Sequence, residues 1–173
     1  MADGPRGRFR IEVLGSEHER DHFSCGIPDL DSYLRERAAQ DAKRHIAATF
    51  VLLEASSVVL GYYTLSQQVI SLEDIPIETA RRLPRYPLLP ATLIGRLAVD
   101  GPRQGEGLGE LLLMDALLRS WEAAQTVASY ALRVDAADER ARQFYLRYDF
   151  IPLPNERLKL LLPMAVLDRL FGG

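Results

Sequence analysis

A glycine-rich turn between an apolar strand and an apolar helix is the feature that most constrains this chain. Residues 93–99 have the apolar pattern of a strand, and the Asp-Gly-Pro triplet at 100–102 favours a turn that ends it. Gly105, Gly107 and Gly109 then alternate directly before a helical apolar run. Glycines let the main chain approach a ligand closely, and a helix N-terminus offers free N–H groups and a positive dipole end. The stretch therefore predicts an anion site, most naturally for a phosphate.

Two familiar glycine-rich motifs do not fit this turn. A P-loop ends in Gly-Lys-Ser/Thr, whereas this chain has Gly109-Glu110-Leu111. A dinucleotide-binding fingerprint expects a strand near the start of the domain and an acidic residue about 20 residues further on, whereas this turn lies well past mid-chain. The plain alternative is a strand-to-helix turn that binds nothing.

Length and composition indicate one domain, residues 9–173, after a loose tail at residues 1–8. The chain has 47% apolar and 26% charged residues, as soluble globular proteins do, and no apolar run long enough to span a membrane. The N-terminus lacks a secretory signal, and Cys25 is the single cysteine, so we expect a cytoplasmic protein without an internal disulfide. Three scattered histidines predict no metal site, and the net charge of −3 does not indicate a nucleic-acid binder.

The first half of the chain has the pattern of an antiparallel sheet with one helix. Strands are predicted at 9–14, 49–53 and 58–68, the last two as a hairpin, and a helix from Asp29 to about His45. The connection from 71 to 91 has a short helix at about 77–83, and its length predicts a functional loop. We interpret it as a substrate-side loop because it carries three arginines, namely Arg81, Arg82 and Arg85.

The second half reads as a βαβ unit followed by further strands. The helix at about 107–124 is predicted to bury Leu111, Met114, Leu118 and Trp121, with Leu113 and Leu117, and to expose Asp115, Arg119 and Glu122. A strand at 130–134, a helix with Asp138 as its N-cap, strands at 150–151 and 157–162, and a helix at 163–171 complete the chain. The fold class is therefore α+β, an α/β three-layer arrangement with a mixed central sheet and helices on both faces.

The glycine turn resembles the acyl-CoA loop of the Gcn5-related N-acetyltransferases (GNAT family), Arg/Gln-x-x-Gly-x-Gly/Ala. Gln104-Gly105-Glu106-Gly107-Leu108-Gly109 matches it. A second match is to the family pattern Ala-x-x-Phe/Tyr-Tyr-x-x-x-Gly-Phe, carried by Ala141, Phe144, Tyr145 and Phe150. Asp149 stands where the family has glycine, so we expect a local adjustment at the end of that helix.

Five further segments resemble the acetyltransferase toxins of bacterial toxin–antitoxin pairs, of the TacT and AtaT type, over about residues 9–163. They are Phe23-Ser-Cys-Gly, Leu30-Asp31, Gly61-Tyr-Tyr-Thr-Leu65, Gly95-Arg-Leu-Ala-Val-Asp100 and Val134-Asp-Ala136. The resemblance implies that acetyl-CoA donates its acetyl group to the α-amine of an aminoacyl-tRNA, which stops translation. It also implies a ribbon-helix-helix antitoxin as partner, and a homodimer.

The same resemblance implies the site residues. The strand segment Leu97, Ala98 and Val99 would pair with the pantetheine arm, and Tyr145 would be the general acid for the CoA thiolate. A tyrosine with its usual pKa of about 10 is protonated at neutral pH. The remaining cofactor-binding residues implied are Arg103, Gln104, Gly105, Glu106, Gly107, Leu108 and Gly109 around the pyrophosphate, together with Asp138.

The acceptor is less constrained than the donor. No histidine or carboxylate is placed as a base, which favours an α-amine, since such amines titrate near about 7.7–8.0. A small-molecule or protein amine, and a non-catalytic acyl-CoA-binding module, stay open as alternatives. Periodicity alone makes Tyr145 a core residue. Free cysteines are usually small buried residues, so Cys25 is expected to be one and not a nucleophile. Two basic groups are either solvated or bound to tRNA phosphates, namely Arg81, Arg82 and Arg85, and Lys43 with Arg44.

Overall fold

The computed structural model describes residues 5–173 and contains a seven-stranded mixed sheet in the order β1-β2-β3-β4-β5-β7-β6. The strands are β1 (Arg10–Val13), β2 (Ala48–Leu53), β3 (Gly61–Ser71), β4 (Leu88–Val99), β5 (Ala131–Asp135), β6 (Ile151–Leu153) and β7 (Glu156–Pro163). The α-helices are α1 (Pro28–Ser32), α2 (Ala38–Lys43), α3 (Ile77–Ala80), α4 (Leu108–Ala124), α5 (Glu139–Leu146) and α6 (Met164–Phe171). The predicted α+β class is confirmed.

The predicted tail lies partly outside the described residues, which begin at Pro5. Within it, Pro5–Arg8 forms a 3-10 turn, and the guanidinium of Arg8 pairs with the carboxylate of Glu54.

The contacts divide the chain into two compact units, each made of two separate stretches. Unit 1 comprises the residues up to Ser66 and Arg96–Ala116; unit 2 comprises Gln67–Gly95 and Leu117–Gly173. The strands β3 and β4 and the helix α4 each continue from one unit into the other.

Unit 1 holds the antiparallel half of the sheet between two layers of helix. The strand β1 pairs with β2 and β2 with β3, both antiparallel, as predicted. Successive residues of a strand point to opposite faces. Val51 and Leu53 therefore pack with Leu34 and Ala38 of the α1–α2 segment. On the other face, a Cβ atom added to Gly61 would lie 2.9 Å from Leu112 of α4, so glycine permits this close approach.

The segment from α1 to α2 was predicted as one helix, and it contains a π-helical turn at Tyr33–Arg37. Tyr33 and Leu34 of this turn are buried. A π turn inserts one extra residue and so rotates the side chains that follow it. The insertion is invisible to a search for a 3.6-residue period, because each flanking helix is only five or six residues long.

Unit 2 contains the parallel pair that the βαβ pattern predicted. The strands β4 and β5 pair in parallel from Ala91 opposite Ala131 to Ile94 opposite Val134, and β4 continues to Val99. The strand β7 pairs antiparallel with both β5 and β6. Ile70, Leu89, Ala91, Ala131, Leu153 and Leu161 belong to one buried apolar cluster.

The buried face of α4 differs from the predicted one. Leu118 is 38% exposed, and Leu111, Met114 and Trp121 are only half-buried. Asp115 is half-buried and accepts a hydrogen bond of 2.5 Å from the hydroxyl of Tyr63, so it does not simply face solvent. Leu113 and Leu117 are buried as predicted. The prediction was wrong for the other residues because apolar side chains cover more than one stripe of this helix. The buried residues of α4 are Leu108, Leu112, Leu113, Ala116, Leu117 and Ser120. The pattern undervalued the small ones among them, Ala116 and Ser120.

The connection after β3 is shorter than predicted because β4 begins at Leu88 instead of near residue 93. It contains a 3-10 turn at Leu72–Asp74 and the short helix α3 at Ile77–Ala80. Leu72, Ala80 and Leu83 pack against the apolar cluster of unit 2 and hold the connection in place.

Candidate active site

Hydrogen bonds made by Asp100 and Gly101 fix the turn after β4 to the rest of unit 1. The amide of Asp100 donates to the carbonyl of Leu60 over 2.8 Å, and its buried carboxylate accepts from the amide of Ser24 over 2.9 Å. The amide of Gly101 also donates to the carbonyl of Ser24, over 2.8 Å. The chain therefore leaves the sheet in one defined direction, through a 3-10 turn at Gly101–Arg103.

Six consecutive main-chain N–H groups after this turn, from Gly105 to Glu110, donate to no described residue. Gly105 has φ +85° and Gly107 has φ +80°, so both occupy the left-handed region that favours glycine. A Cβ atom at either position would meet nothing within 4 Å. Glycine is therefore needed there for its backbone conformation, not because space is short. Unpaired N–H groups at the start of the 17-residue helix α4 are the donors that an anion site needs, and anion binding by this loop stays a prediction.

The side chain of Arg103 is held by two carboxylates. It contacts Glu54 at 2.8 Å and Glu106 at 2.7 Å. These hydrogen bonds raise the pKa of Arg103 and lower the pKa of Glu54. The charge that the resemblance assigned to the pyrophosphate is thus already balanced within the chain, whereas the amides of the loop are unpaired among the described residues.

Gln104 has a structural function in addition to its place in the motif. Its side-chain amide donates to the carbonyl of Cys25 and to the carbonyl of Val99, both over 2.9 Å. One side chain therefore ties the end of β4 to the loop before α1. The sequence could not reveal this contact, because Gln104 and Cys25 lie 79 residues apart.

The three residues predicted to contact pantetheine lie at the end of β4. Ala98 is buried in the apolar cluster of unit 1, whereas Leu97 and Val99 are half-buried. The carbonyl of Val99 already accepts from Gln104. Arg96, just before them, places its guanidinium 3.5 Å from the ring centre of Tyr33. The sequence analysis did not single out Arg96 as a site residue.

Tyr145 lies in α5, in unit 2, and is 4% exposed. Its ring makes edge-to-face contacts with Phe144 at 5.3 Å and with Phe150 at 5.4 Å. Its hydroxyl makes no hydrogen bond with a described residue. Burial, and then the charge of Asp135, raise the pKa of Tyr145 above its usual value.

The ends of α5 agree with the sequence analysis. The carboxylate of Asp138 accepts from the amide of Ala141 over 2.9 Å, which confirms Asp138 as the N-cap. Asp149 adopts φ +68°, so the aspartate takes the left-handed conformation that the family's glycine would adopt easily. The cap function occupies one oxygen of Asp138, and its function in cofactor binding stays a prediction.

Cys25 is poorly suited to be a nucleophile. Burial, together with the neighbouring Asp31, raises the pKa of its thiol to about 11. A thiol with so high a pKa is almost entirely protonated at neutral pH, and the thiolate is the reactive form.

The candidate substrate residues are exposed cations. Arg81, Arg82 and Arg85 in unit 2 form no ion pair with a described carboxylate. Lys43 and Arg44 in unit 1, at the C-terminal end of α2, are likewise exposed and unpaired within the described chain.

One group of potential metal ligands is present in the described residues, formed by Glu12, Glu17 and His18. The amide of Gly15 donates to Nδ1 of His18 over 2.8 Å, so the ring proton is on Nε2, which lies 2.7 Å from Glu12. Both ring nitrogens are therefore occupied, and the group is a hydrogen-bonded structural cluster.

Comparison with known proteins identifies the family of the chain. Residues 88–165 match the family model of the acetyltransferase (GNAT) domain. The chain is 38% identical to the tRNA-acetylating toxin of Mycobacterium tuberculosis (strain ATCC 25618 / H37Rv), over 87% of this chain and 89% of that protein. The chain belongs to the GNAT family of acetyltransferases. It is also 30% identical to the probable toxin TacT of Sinorhizobium fredii (strain NBRC 101917 / NGR234), over 99% and 100% of the two chains.

Solved structures of toxins share the whole fold. A Tyr→Phe variant of KacT superposes with a TM-score of 0.89 at 30% identity, covering 95% of this chain and 99% of KacT. AtaT in complex with acetyl-methionyl-tRNAfMet has a TM-score of 0.87 at 29% identity, covering 94% and 99%. A Tyr→Phe variant of AtaT bound to acetyl-CoA and the C-terminus of the antitoxin AtaR has a TM-score of 0.82 at 27% identity, covering 96% and 99%. Within the described residues, no helix is both long and apolar enough to cross a membrane.

Proposed function

We propose that this GNAT acetyltransferase is a toxin that transfers the acetyl group of acetyl-CoA to the α-amine of aminoacyl-tRNA. The observation that carries the proposal is the run of unpaired amides from Gly105 to Glu110, in a chain 38% identical to a tRNA-acetylating toxin over most of its length. The complex of AtaT with acetyl-methionyl-tRNAfMet supports the nature of the acceptor.

The residues present fit acetyl-CoA. Its diphosphate is an anion of the kind that successive free amides at a helix N-terminus bind well. Gly105 and Gly107 present these amides with no side chain near them. Leu97, Ala98 and Val99 would pair with the pantetheine arm through their main chain. When bound, acetyl-CoA supplies an activated acetyl group.

In the proposed step, the amine nitrogen forms a bond to the acetyl carbon, and the bond between that carbon and the CoA sulfur breaks. The leaving thiolate takes the proton of the Tyr145 hydroxyl, and the amine releases a proton to solvent. The raised pKa of Tyr145 keeps that hydroxyl protonated near neutral pH, where an α-amine already reacts. Since no hydrogen bond to a described residue holds the proton, it is available for donation.

The remaining partners follow from the relatives. Acceptor tRNA would be held through Arg81, Arg82 and Arg85, whose exposed charges are unpaired among the described residues, with Lys43 and Arg44 as a second group. The complex of AtaT with AtaR supports an antitoxin partner, for which we propose the ribbon-helix-helix type. A homodimer acting in the cytoplasm completes the proposal.

The test is to incubate the purified protein with total aminoacyl-tRNA and with acetyl-CoA that carries a label in its acetyl group. We expect label on charged tRNA that mild base releases as an N-acetylamino acid. Uncharged tRNA is the matched control and should stay unlabelled. Label found only on free amines or on proteins would identify an acetyltransferase of small-molecule or protein amines instead. Binding of acetyl-CoA with no transfer to any amine would identify a non-catalytic module.

A further inference from the structure

We infer that Tyr86 is a stacking platform for an unpaired base of the acceptor nucleic acid, at the single-stranded end that carries the aminoacyl group. The inference rests on the proposed function. It adds a contact that distinguishes an unpaired base from a base within a duplex. The neighbouring arginines, which the proposed function assigns to tRNA phosphates, would not make that distinction.

Tyr86 differs from the other tyrosines of the chain in its exposure. It is 65% exposed, whereas Tyr33, Tyr62, Tyr63 and Tyr145 are buried and Tyr130 and Tyr148 are half-buried. The exposed part of an aromatic ring adds little to folding, since its stabilising contribution comes from removal of apolar surface from water. That exposed part is therefore available for contact with another molecule.

The neighbours of Tyr86 identify the chemistry of that partner. Arg85 precedes it, and Arg81 and Arg82 lie in the turn just before, all three exposed and without a described ion pair. Unpaired guanidinium groups beside an exposed ring match the combination that binds single-stranded nucleic acid, in which cations contact phosphates and aromatic rings stack on bases. A peptide partner rich in acidic residues would engage the arginines but would gain little from the ring.

The backbone that carries Tyr86 is restricted before any ligand arrives. Pro84 and Pro87 flank the Arg85–Tyr86 pair, and a residue before proline is restricted to extended conformations. The amide of Tyr86 donates to the carbonyl of Pro84 over 2.8 Å, and the carbonyl of Pro87 accepts from the amide of Leu72 over 3.1 Å. Such preorganisation lowers the entropy lost when a base stacks on the ring.

Apolar contacts with the core of unit 2 also anchor the segment that precedes Tyr86. Ala80 and Leu83 pack against the apolar cluster of unit 2, and they bracket Arg81 and Arg82 in the sequence. Anchoring through these two residues leaves the intervening arginines exposed. The same turn therefore directs its apolar side chains inward and its cations toward solvent.

The stacking test uses the full-length protein and a short unpaired oligonucleotide in which 2-aminopurine replaces one base. Stacking on an aromatic ring quenches 2-aminopurine fluorescence. We expect quenching with the wild type and with Tyr86→Phe, and its loss with Tyr86→Leu, which keeps an apolar side chain but has no ring. Leu170→Ala, which changes an exposed apolar residue of α6, is the control and should behave as wild type. No quenching by the wild type, or equal quenching by Tyr86→Leu, would overturn the inference.

The kinetic test separates this contact from the proposed function. For charged tRNA, Tyr86→Leu should raise KM by about tenfold or more, which is the usual effect of losing one base–aromatic stack. For an amino-acid methyl ester, which has no base to stack, KM and kcat should be unchanged. An equal effect on both acceptors would overturn the stacking function. Failure of the wild type to acetylate charged tRNA would instead reject the proposed function, whatever the quenching result.

Discussion

At the scale of single residues, Tyr145 combines burial with an unsatisfied hydroxyl. Most buried tyrosine hydroxyls find a hydrogen-bond partner, and this one has none among the described residues. Its aromatic contacts with Phe144 and Phe150 hold the ring in place without using the oxygen. A core tyrosine selected for packing alone would be replaced by phenylalanine with little consequence, whereas a general acid would not.

The variant Tyr145→Phe separates these two readings. If Tyr145 is the general acid, kcat should fall by about a hundredfold to ten-thousandfold, because proton donation to the leaving group is lost. The dissociation constant of acetyl-CoA should stay the same, as measured by calorimetry, since the ring keeps its contacts.

Phe144→Leu is a suitable control for disturbance of the aromatic contacts, because it alters the packing around Tyr145 and leaves the hydroxyl in place. A Tyr145→Phe enzyme that turns over at the wild-type rate would restrict Tyr145 to a core function.

The sequence predicted single residues correctly where their effect depends on residues close to them in the sequence. Asp138 as N-cap and the glycines of the turn were found because their effect is local. Tyr86 and Gln104 were not assigned their functions, because exposure and a contact across 79 residues are properties of the folded chain.

At the scale of elements, the loop from Gly105 to Glu110 depends on a backbone that only glycine adopts easily. Gly107→Ala should therefore strain the left-handed conformation by about 1–2 kcal/mol and turn some amides away from the diphosphate. We expect weaker acetyl-CoA binding in calorimetry, together with a modest fall in the melting temperature.

Gly26→Ala provides a matched control for the strain. Gly26 has φ +97°, and a Cβ atom there would also meet nothing within 4 Å. This variant should lose similar stability but keep its affinity for acetyl-CoA. If both variants lose affinity equally, the loop amides are not the specific anion site.

The end of α5 offers a stabilising change. Asp149 adopts φ +68°, where a side chain is disfavoured. Asp149→Gly should raise the free energy of unfolding by up to about 1 kcal/mol, since relief of strain exceeds the added freedom of the unfolded chain. Urea unfolding measures the difference. If the variant is less stable than the wild type, the Asp149 side chain stabilises the fold by more than its left-handed backbone conformation costs.

At the scale of the whole molecule, stability should decline in alkaline solution. The pKa of Cys25 is raised to about 11 from an ordinary value near 9, so the folded state favours the neutral thiol. The resulting stabilisation is complete below pH 9 and is lost as the pH rises toward 11. Tyr62 and Tyr145, whose pKa values are also raised, act in the same direction above pH 10.

Urea unfolding at pH 8, 9 and 10 tests this prediction. The free energy of unfolding should fall between pH 9 and 10, and Cys25→Ser, which removes the titrating thiol, should reduce that fall. A Cys25→Ser slope equal to the wild-type slope would show that Cys25 is not responsible.

The pattern of strands and helices was predictable because each element carries its own periodicity. The antiparallel first half and the parallel β4–β5 pair were both expected from the sequence. The division into two units was not, since it depends on which distant stretches pack together. The buried face of α4 was missed because Ala116 and Ser120, which lie on it, carry little hydrophobic signal.

The interleaving of the two units has a consequence for synthesis on the ribosome. Unit 1 cannot close until residue 116 has emerged, and unit 2 draws on the stretch from Leu117 to Gly173. A chain made only as far as residue 116 therefore contains every stretch of unit 1 but lacks most of unit 2. Tyr145 lies in the stretch that is made last, so the proposed transfer step has to wait until that stretch has been made.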